Sequence, residues 1–586
     1  MFRHPSVFTS AVGSSLSSRI ETLARRSALA LFALALFSVS ASNLSAQSST
    51  LVTVPTWRYD NTHSGANIQE TELTPANVNV NTFGKLFSQA VDGLMYAQPL
   101  YVPGLTMSDG KVHNVLFLAT ENDSLYAFDA DSNGGANATP IWKVSLLDSA
   151  HGAGAGATAV PYQDTASPDV APTIGITGTP VINPATNTMY VVSATKENGA
   201  YFSRLHAINI LTGAERANSP VDITSTVNGT GNGSSGGKLT FSPLWANQRP
   251  ALNYYNGYVY IGYSAHGDNG PYHGWLFAYN ATTLAQSAAL CLSPNDYGSG
   301  IWGPGAGMPI DNVATGGRMF VVTGNGDQSA YPPFTPTTSL GESVVNFSLA
   351  NGGLTPTDAY TAFNKTYLNS GDYDLGSGGL LMPPDQDSDD PHILIVAGKE
   401  GRILVLNRDN LGGYDSDASD PKALQDIPGQ LAGCWCAPAY WNGKVYIWGE
   451  LPRSQTDVTG STGNVPQAFD LDSGVLGTTA FTKSSIHTAF PSPSFSISSN
   501  GTQDGVAWAV RSDQFNTHGA FVLYAWDAGD LTNPIYESDT NATRDAGGPA
   551  NRYSIPMVAN GKVYVVANGQ VDVYGLLNGE PTAAAP

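Results

Sequence analysis

The stretch Leu125-Tyr-Ala-Phe-Asp129 decides the fold, because the same pattern recurs along the chain. Each copy is a short apolar and aromatic run that ends at a polar or acidic turn, which is typical of a β-strand. Eight copies lie roughly 50 to 80 residues apart, a spacing in and above the range of propeller repeats. The other seven copies begin at Leu205, Leu276, Val344, Ile403, Pro466, Leu523 and Val571.

A second apolar run precedes most of these copies. Residues 115–119 come before the first copy, and residues 189–193 come before the second. A hairpin built from the two runs cannot bury both of its faces alone, whereas blades stacked around an axis cover each other and hide their strand edges. The sequence therefore predicts an all-β chain folded as an eight-bladed β-propeller.

The two ends of the propeller are predicted to meet. Residues 84–90 (Gly-Lys-Leu-Phe-Ser-Gln-Ala) have the pattern of a strand without a blade of its own, and the last copy has no fourth strand after it. The simplest interpretation is that this N-terminal strand completes the last blade. We therefore expect one propeller domain over residues 47–579, no second domain, and a disordered Pro/Ala tail over residues 580–586.

The N-terminus has the features of a secretory signal peptide over residues 1–46. Arg25 and Arg26 precede an apolar run over residues 28–39, and small residues lead to a cleavage site after Ala46. No later segment is long and apolar enough to span a bilayer. We expect a secreted or periplasmic protein, with the choice between the general and the twin-arginine export route left open.

The composition excludes several classes of partner. The formal net charge is −21, and only 12% of the residues are charged. A strongly acidic surface repels nucleic acid, so no nucleic-acid partner is expected. The chain contains 3 cysteines, which is too few for a disulfide scaffold. Cys434 and Cys436 could pair, but a bridge across one residue is strained, and the favoured interpretation is two buried small residues.

The first repeat, with Trp142 after it, resembles the tryptophan-docking repeat of the pyrroloquinoline quinone (PQQ) dehydrogenases. In those proteins the indole packs between neighbouring blades. The resemblance covers nearly all of the mature chain, although only the first copy keeps the Trp. It implies an eight-bladed propeller of the PQQ-repeat type, PQQ and Ca²⁺ as cofactors, and a small-molecule alcohol or sugar as the substrate.

The resemblance also implies site residues. Trp302 matches the Trp under the quinone, and Asn325, in Thr-Gly-Asn-Gly, matches an Asn that binds Ca²⁺. Glu342 stands where the family has its catalytic Asp, so it is expected to act as the base and as a metal ligand. Lys399 matches a cation that bonds a quinone oxygen. Trp435 matches a Trp that approaches the quinone.

One segment is dense in polar and Gly residues and is the most site-like part of the chain. It covers residues 263–274, is preceded by the polar stretch 245–250, and resembles the segment that holds the family's Ca²⁺-binding Glu. That Glu is absent, and Asp268 or Asn269 is the nearest residue, with Asp268 taken as the candidate metal ligand. The adjacent cysteine pair that closes over the quinone in the alcohol dehydrogenases is also absent.

These departures leave other functions open. The family includes propellers without a cofactor, so the chain could instead be a non-catalytic propeller that binds a protein or polysaccharide on its loop-rich face. A hydrolase or lyase that uses Asp and His residues of the same face is a third, weaker hypothesis.

Overall fold

The computed structural model describes residues 51–303, 305–326, 334–335, 338–450 and 463–577. The chain divides after Thr50 into a unit Met1–Thr50 and a unit Leu51–Pro586. The predicted signal peptide and C-terminal tail lie outside the described residues. Among the helices of the described part, none is long and apolar enough to cross a membrane.

The described strands form eight blade sheets, as the repeat predicts. We number the blades in chain order. The strands of blades 1 and 2 are Leu100–Thr106, Val112–Ala119, Ser124–Asp129 and Trp142–Ser145, then Thr158–Pro161, Thr173–Ile174, Val181–Asn183, Thr188–Glu197, Ala200–Asn209 and Val221–Asp222. The strands of blades 3 and 4 are Ala246–Asn247, Asn253–Tyr255, Tyr258–Ala265, Trp275–Asn280 and Gln286–Cys291, then Ile310–Asp311, Arg318–Val322, Ser343–Ser348, Thr355–Thr361 and Gly413–Tyr414.

The remaining four blades follow the same plan. The strands of blades 5 and 6 are Ile393–Ala397, Ile403–Asn407 and Gln425–Ile427, then Ala439–Trp441, Lys444–Trp448, Pro466–Asp472, Val475–Leu476 and Thr482–Lys483. The strands of blades 7 and 8 are Ala66–Asn67, Ser496–Asn500, Gln503–Arg511, Val522–Asp527 and Tyr536–Glu537, then Phe83–Ala90, Met557–Ala559, Lys562–Ala567 and Gln570–Leu576. Each of the eight predicted repeat copies is a strand of its own blade.

The elements outside the blades are short. One extra hairpin joins Thr226–Asn228 to Lys238–Thr240. The α-helices of the described residues are Lys365–Gly371 and Ala542–Asp545. The single-turn 3₁₀ helices are Gly135–Ala138, Ser149–His151, Tyr162–Thr165, Pro168–Val170, Pro184–Thr186, Ala350–Gly352, Leu375–Ser377 and Phe515–Thr517.

Closure of the ring by an N-terminal strand is confirmed. Phe83–Ala90 pairs antiparallel with Gln570–Leu576, so that Lys85 lies opposite Tyr574. The sequence did not reveal a second N-terminal contribution: Ala66–Asn67 adds in parallel to Ser496–Asn500 of blade 7. Described segments near the N-terminus therefore contribute strands to the last two blades.

The apolar core consists of separate clusters between neighbouring blades. In the described residues, one buried cluster joins each blade to the next in chain order, and a further one joins blade 8 to blade 1. Trp142 belongs to the cluster between blades 1 and 2, and its indole N–H donates to the Ile210 carbonyl at 2.9 Å. The predicted packing of this Trp between blades is confirmed.

Tyrosines make the same contact where the docking Trp is missing. The hydroxyls of Tyr190, Tyr446 and Tyr564 donate to carbonyl oxygens of the next blade, at 2.8, 2.8 and 3.2 Å. The acceptors are Ala281, Ala528 and, across the ring closure, Ala130. Each acceptor, like Ile210, directly follows the repeat strand of its blade. At these three interfaces, loss of the Trp does not remove the hydrogen bond between blades, whereas the hydroxyl of Tyr260 in blade 3 has no partner among the described residues.

An N-terminal segment fills the axis of the ring. Trp57 is fully buried and clusters with Ala251, Ala306, Ala437 and Ile555, which lie near the first strands of four different blades. The neighbouring Arg58 is also buried, and its guanidinium donates to the backbone carbonyls of Pro438 and Phe495 at 2.7 and 3.0 Å. Small residues from several blades thus leave room for one indole at the centre.

The favoured interpretation of Cys434 and Cys436 was wrong in one respect. Both are fully buried as expected, but they form a disulfide. The loop bends so that their Cα atoms lie 5.1 Å apart, which is within the usual range for a bridge. Cys291 is free and buried.

We expect the ring-closing strand to carry much of the stability. Phe83 is fully buried between the aromatic rings of blades 7 and 8, whereas Leu86 in the same strand is 38% exposed. Phe83→Ala should lower the free energy of unfolding by about 3–5 kcal/mol, measured by chemical denaturation. Leu86→Ala is the matched control and should change it by less than about 1 kcal/mol. Equal effects of the two variants would contradict this role of the strand.

The disulfide predicts a specific thiol count. Under denaturing conditions without a reductant, only Cys291 should react with a thiol reagent. After reduction, all 3 cysteines should react. The same measurement on Cys434→Ala should show one extra reactive thiol before reduction. Three reactive thiols in the unreduced wild-type protein would exclude the bridge.

Candidate functional site

A cavity of about 540 Å³ lies where the segments that lead into several blades converge. Tyr96, Arg249, Trp302, Trp435 and Tyr553 all line it. They stand a few residues before five strands of different blades, which begin at Leu100, Asn253, Ile310, Ala439 and Met557. Because the first strand of a propeller blade is the innermost one, residues just before it meet near the axis. The repeat architecture therefore brings together residues that are up to 457 positions apart, from Tyr96 to Tyr553.

Two indoles form walls of the cavity. Trp302 packs edge-on against Tyr272 with 6.2 Å between ring centroids, and Trp435 packs edge-on against Phe490 at 5.6 Å. Trp435 stands between the two bridged cysteines, and its backbone N–H donates to Ser492 Oγ at 2.8 Å. Both indoles are half-buried, so part of each ring is available to a ligand.

A lysine and two aspartates occupy one side of the cavity. The Lys399 ammonium lies 2.7 Å from Asp372 Oδ1, forms a second ion pair with Asp374, and is 5.6 Å from the Trp435 ring centroid. Burial lowers the pKa of Lys399, but the two carboxylates outweigh it and raise the pKa above its ordinary value. Lys399 is therefore a fixed cation, and all three residues line the cavity.

Asn325 and Glu342 lie behind this ion-pair cluster and do not line the cavity themselves. Asn325 donates its backbone N–H to Asp374 Oδ1 and its side-chain amide to Asp372 Oδ1, both at 2.7 Å. Glu342 is fully buried and accepts from the Leu375 N–H at 2.8 Å. Burial, with the nearby Asp374 carboxylate, raises the pKa of Glu342 well above its ordinary value.

Two oxygens of this pair are left without a partner. Asn325 Oδ1 and Glu342 Oε1 are buried and accept no hydrogen bond from the described residues. A buried polar atom without a partner is costly, so such atoms mark places where a further group can bind.

Asp268 lies in the cavity wall, on the segment that the sequence marks as site-like. Its carboxylate accepts from the Tyr272 hydroxyl at 2.6 Å, and no hydrogen bond links it to Asn325 or Glu342 in the described residues. Withdrawal from water raises the pKa of Asp268 to about 6. The described part of the chain contains no group of three or more His, Cys, Asp or Glu side chains that could hold a metal ion. Asn325 and Glu342 thus both lie beside Asp374, whereas Asp268 faces the same ion-pair cluster but is hydrogen-bonded to Tyr272.

The opposite side of the cavity holds a second group of cations that sequence reasoning did not identify. The Arg249 guanidinium lies between the rings of Tyr96 and Tyr553, 5.4 and 5.0 Å from their centroids. Arg552 lies beside it and pairs with Asp169 at 3.8 Å. Arg249 belongs to the polar stretch 245–250, which was the available signal. The sequence signal for Asp372 and Asp374 was weaker, because they are only two aspartates in a loop bounded by Gly residues.

Two solved structures with a similar fold are dehydrogenases. No family model and no curated protein matches the chain. The quinohemoprotein alcohol dehydrogenase from Comamonas testosteroni is 15% identical, with a TM-score of 0.55, over 92% of this chain and 83% of that one. A europium-containing methanol dehydrogenase is 11% identical, with a TM-score of 0.56, over 89% of this chain and 98% of that one. This chain shares their fold. At these identities the similarity extends to the fold alone.

We expect Gly324 to be essential for the packing of this site. A Cβ at this position would lie 2.0 Å from Asp374 Oδ1 and 2.9 Å from Trp302 Cδ1, so no side chain fits. Gly324→Ala should lower the free energy of unfolding by about 1–3 kcal/mol and change the tryptophan fluorescence, because Asp374 or Trp302 must move. Gly134→Ala, where a Cβ meets only Ser132 at 3.5 Å, is the control. An unaltered spectrum and stability in Gly324→Ala would contradict the described packing.

Proposed function

We propose that the chain is a quinoprotein dehydrogenase that binds PQQ and a hard cation such as Ca²⁺ in this cavity and oxidises an alcohol or sugar. The observation that carries the proposal is the pair of unpartnered oxygens, Asn325 Oδ1 and Glu342 Oε1, behind a cavity walled by indoles. Oxygens of amides and carboxylates are the ligands that Ca²⁺ prefers. The two dehydrogenases that share the fold, a quinohemoprotein and a europium-containing enzyme, are consistent with a quinone and a hard cation in a propeller of this kind.

The residues present fit such a cofactor. The volume of about 540 Å³ falls within the usual range for a small-molecule pocket. Trp302 and Trp435 offer flat faces to a planar ring system, and Lys399 can donate to a quinone oxygen. Asn325 and Glu342 would hold the cation, with the remaining ligands from the cofactor and water. Asp268, the third predicted ligand, would need to leave Tyr272 to join them.

The assignment of the base follows from which carboxylate lines the cavity. When bound, the quinone supplies the acceptor for the two electrons that leave the substrate carbon as a hydride. The hydroxyl proton needs a base that touches the substrate. The sequence predicts Glu342 for this role, but its carboxylate is fully buried behind the cavity. We assign the proton to Asp374, which lines the cavity and is paired with Lys399. Export to the periplasm or the medium, as the predicted signal peptide implies, is part of this proposal.

A non-catalytic carbohydrate-binding propeller is the second candidate. Trp302, Trp435, Tyr96 and Tyr553 surround a cavity that also contains carboxylates and amides. Aromatic faces with polar groups between them also suit a sugar ring. The two candidates differ in one respect: only the first requires the cation ligands Asn325 and Glu342.

Titration of the purified protein with PQQ, followed by calorimetry with and without Ca²⁺, tests the proposal. We expect Ca²⁺-dependent binding that Asn325→Ala weakens at least about tenfold, because a charge-assisted contact is lost. Lys399→Met should weaken it similarly, whereas Asn133→Ala, at an exposed position outside the cavity, should not. A PQQ-loaded protein that turns over an artificial electron acceptor with an alcohol would establish the activity. Absence of PQQ binding at high micromolar concentration would overturn the proposal in favour of the carbohydrate-binding candidate.

A further inference from the structure

Arg249 is an unusual residue in this cavity, because it is a buried cation that forms no ion pair with a carboxylate of the described residues. It is 8% exposed, and its Nη1 has no hydrogen-bond partner among the described residues. No carboxylate of those residues lies within ion-pair distance of its guanidinium, although the chain as a whole is strongly acidic. Burial accordingly lowers the pKa of Arg249. The flanking rings of Tyr96 and Tyr553 offset only part of the cost of removing the charge from water.

A second unpartnered group stands two residues away. Asn247 is 4% exposed and lines the same cavity, and its Oδ1 accepts no hydrogen bond from the described residues. The stretch 245–250 thus presents one charged donor and one neutral acceptor to the same space. A guanidinium recognises a carboxylate with two parallel hydrogen bonds, and an amide oxygen accepts from a hydroxyl.

The neighbouring charges do not neutralise Arg249. Arg552 lines the cavity beside it and is balanced by Asp169, whose carboxylate is 3.8 Å away and whose backbone carbonyl accepts from the same guanidinium. The other carboxylates of the cavity are engaged as well: Asp268 with Tyr272, and Asp372 and Asp374 with Lys399. Of the three cations that line the cavity, Arg249 is thus the one that forms no ion pair with a described carboxylate, although the charge of the buried Glu121 carboxylate, outside the cavity lining, also acts on it.

We infer that the ligand bound at this side of the cavity carries both a carboxylate and hydroxyl groups, as a sugar acid or a hydroxy acid does. Arg249 binds the carboxylate, and Asn247 accepts from a neighbouring hydroxyl. The inference rests on the proposed function only for the idea that the ligand is then oxidised. Binding itself would hold equally for an acidic carbohydrate in a non-catalytic propeller.

The geometry keeps this subsite separate from the proposed cofactor position. Tyr96, Arg249, Arg552 and Tyr553 belong to the segments that lead into blades 1, 3 and 8. Lys399, Trp435 and the two paired aspartates belong to segments around blades 5 and 6. A cofactor held at Lys399 leaves the side at Arg249 for the substrate, whose carboxylate would fix the rest of the molecule relative to Asp374.

The first test compares D-glucuronate with D-glucose, which has a hydroxymethyl group in place of the carboxylate. Calorimetry on the protein without PQQ should show at least tenfold tighter binding of glucuronate. Arg249→Gln should abolish this preference without weakening glucose binding. Arg511→Gln is the matched control, because Arg511 also lies over a tyrosine ring, at 5.7 Å, but outside the cavity. Equal binding of both sugars, or a preference that survives in Arg249→Gln, would overturn the inference.

A second variant keeps the test decisive if Arg249→Gln misfolds. Arg249→Lys keeps the charge but loses the two-pronged geometry, so it should weaken glucuronate binding and leave glucose binding unchanged. If Arg249→Gln does not fold, as judged by circular dichroism, an unaltered glucuronate affinity in Arg249→Lys would overturn the inference.

PQQ titration of the same variants separates the two proposals. If wild-type protein binds glucuronate through Arg249 but does not bind PQQ, the proposed function fails and the subsite stands. If Arg249→Gln weakens PQQ binding and PQQ-loaded wild-type protein no longer binds glucuronate, the carboxylate is that of the cofactor, and the assignment to the substrate is wrong. Glucuronate binding to the PQQ-loaded protein supports both proposals together.

Discussion

Closure of the ring is the constraint on which the rest of the structure depends. The core of this protein is not one body but a series of clusters, each shared between two neighbouring blades. Both faces of every blade are therefore covered only when the blades form a closed ring. The pairing of Phe83–Ala90 with Gln570–Leu576 builds the last blade, and Tyr564 then bonds to blade 1 as Tyr190 and Tyr446 bond to their own neighbours. Closure also creates the cavity, because the segments that line it meet only around a complete axis.

The docking contacts explain how a weakened repeat can retain the fold. What recurs is not the indole but a hydrogen bond to the carbonyl that follows the repeat strand of the next blade. Trp142 makes it from the outer strand of its blade, whereas Tyr190 makes it from a more central strand. Both side chains combine a large apolar face with one donor at the tip, which suits a buried interface that ends at a backbone carbonyl. At these four interfaces the position of the acceptor carbonyl is thus more constant than the aromatic residue that reaches it.

The sequence predicted the blades and part of the site for the same reason. Strand patterns are local, so all eight repeat copies and the closing strand could be identified from them. Trp302, Lys399, Trp435 and Asp268 line one cavity because each lies in a segment between regular strands, and such segments converge at the axis. How deeply a side chain is buried does not follow from a local sequence pattern. Asn325 and Glu342 lie behind the cavity because Asp372 and Asp374, from the next segment of the chain, come between them and the cavity. Arg249, Trp57 and the bridge between Cys434 and Cys436 likewise depend on how distant segments pack, which no spacing in the sequence records.

Buried polar atoms without a partner occur at several places in the described residues, and one group of them lies at the cavity. Those of Asn247, Arg249, Trp302, Asn325 and Glu342 all belong to residues that line the cavity or lie directly behind it. Each such atom costs about 1–3 kcal/mol in a folded protein, and the apolar clusters between the blades are what can offset that cost. These atoms differ in kind between the two sides of the cavity. Beside the Lys399 cluster they are acceptor oxygens, which a bound cation would satisfy. Between Tyr96 and Tyr553 the group is a guanidinium, which a bound anion would satisfy. A site that can bind a cation at one side and an anion at the other is suited to hold two different groups in a fixed relation to each other. A reaction between a cofactor and a substrate requires such an arrangement.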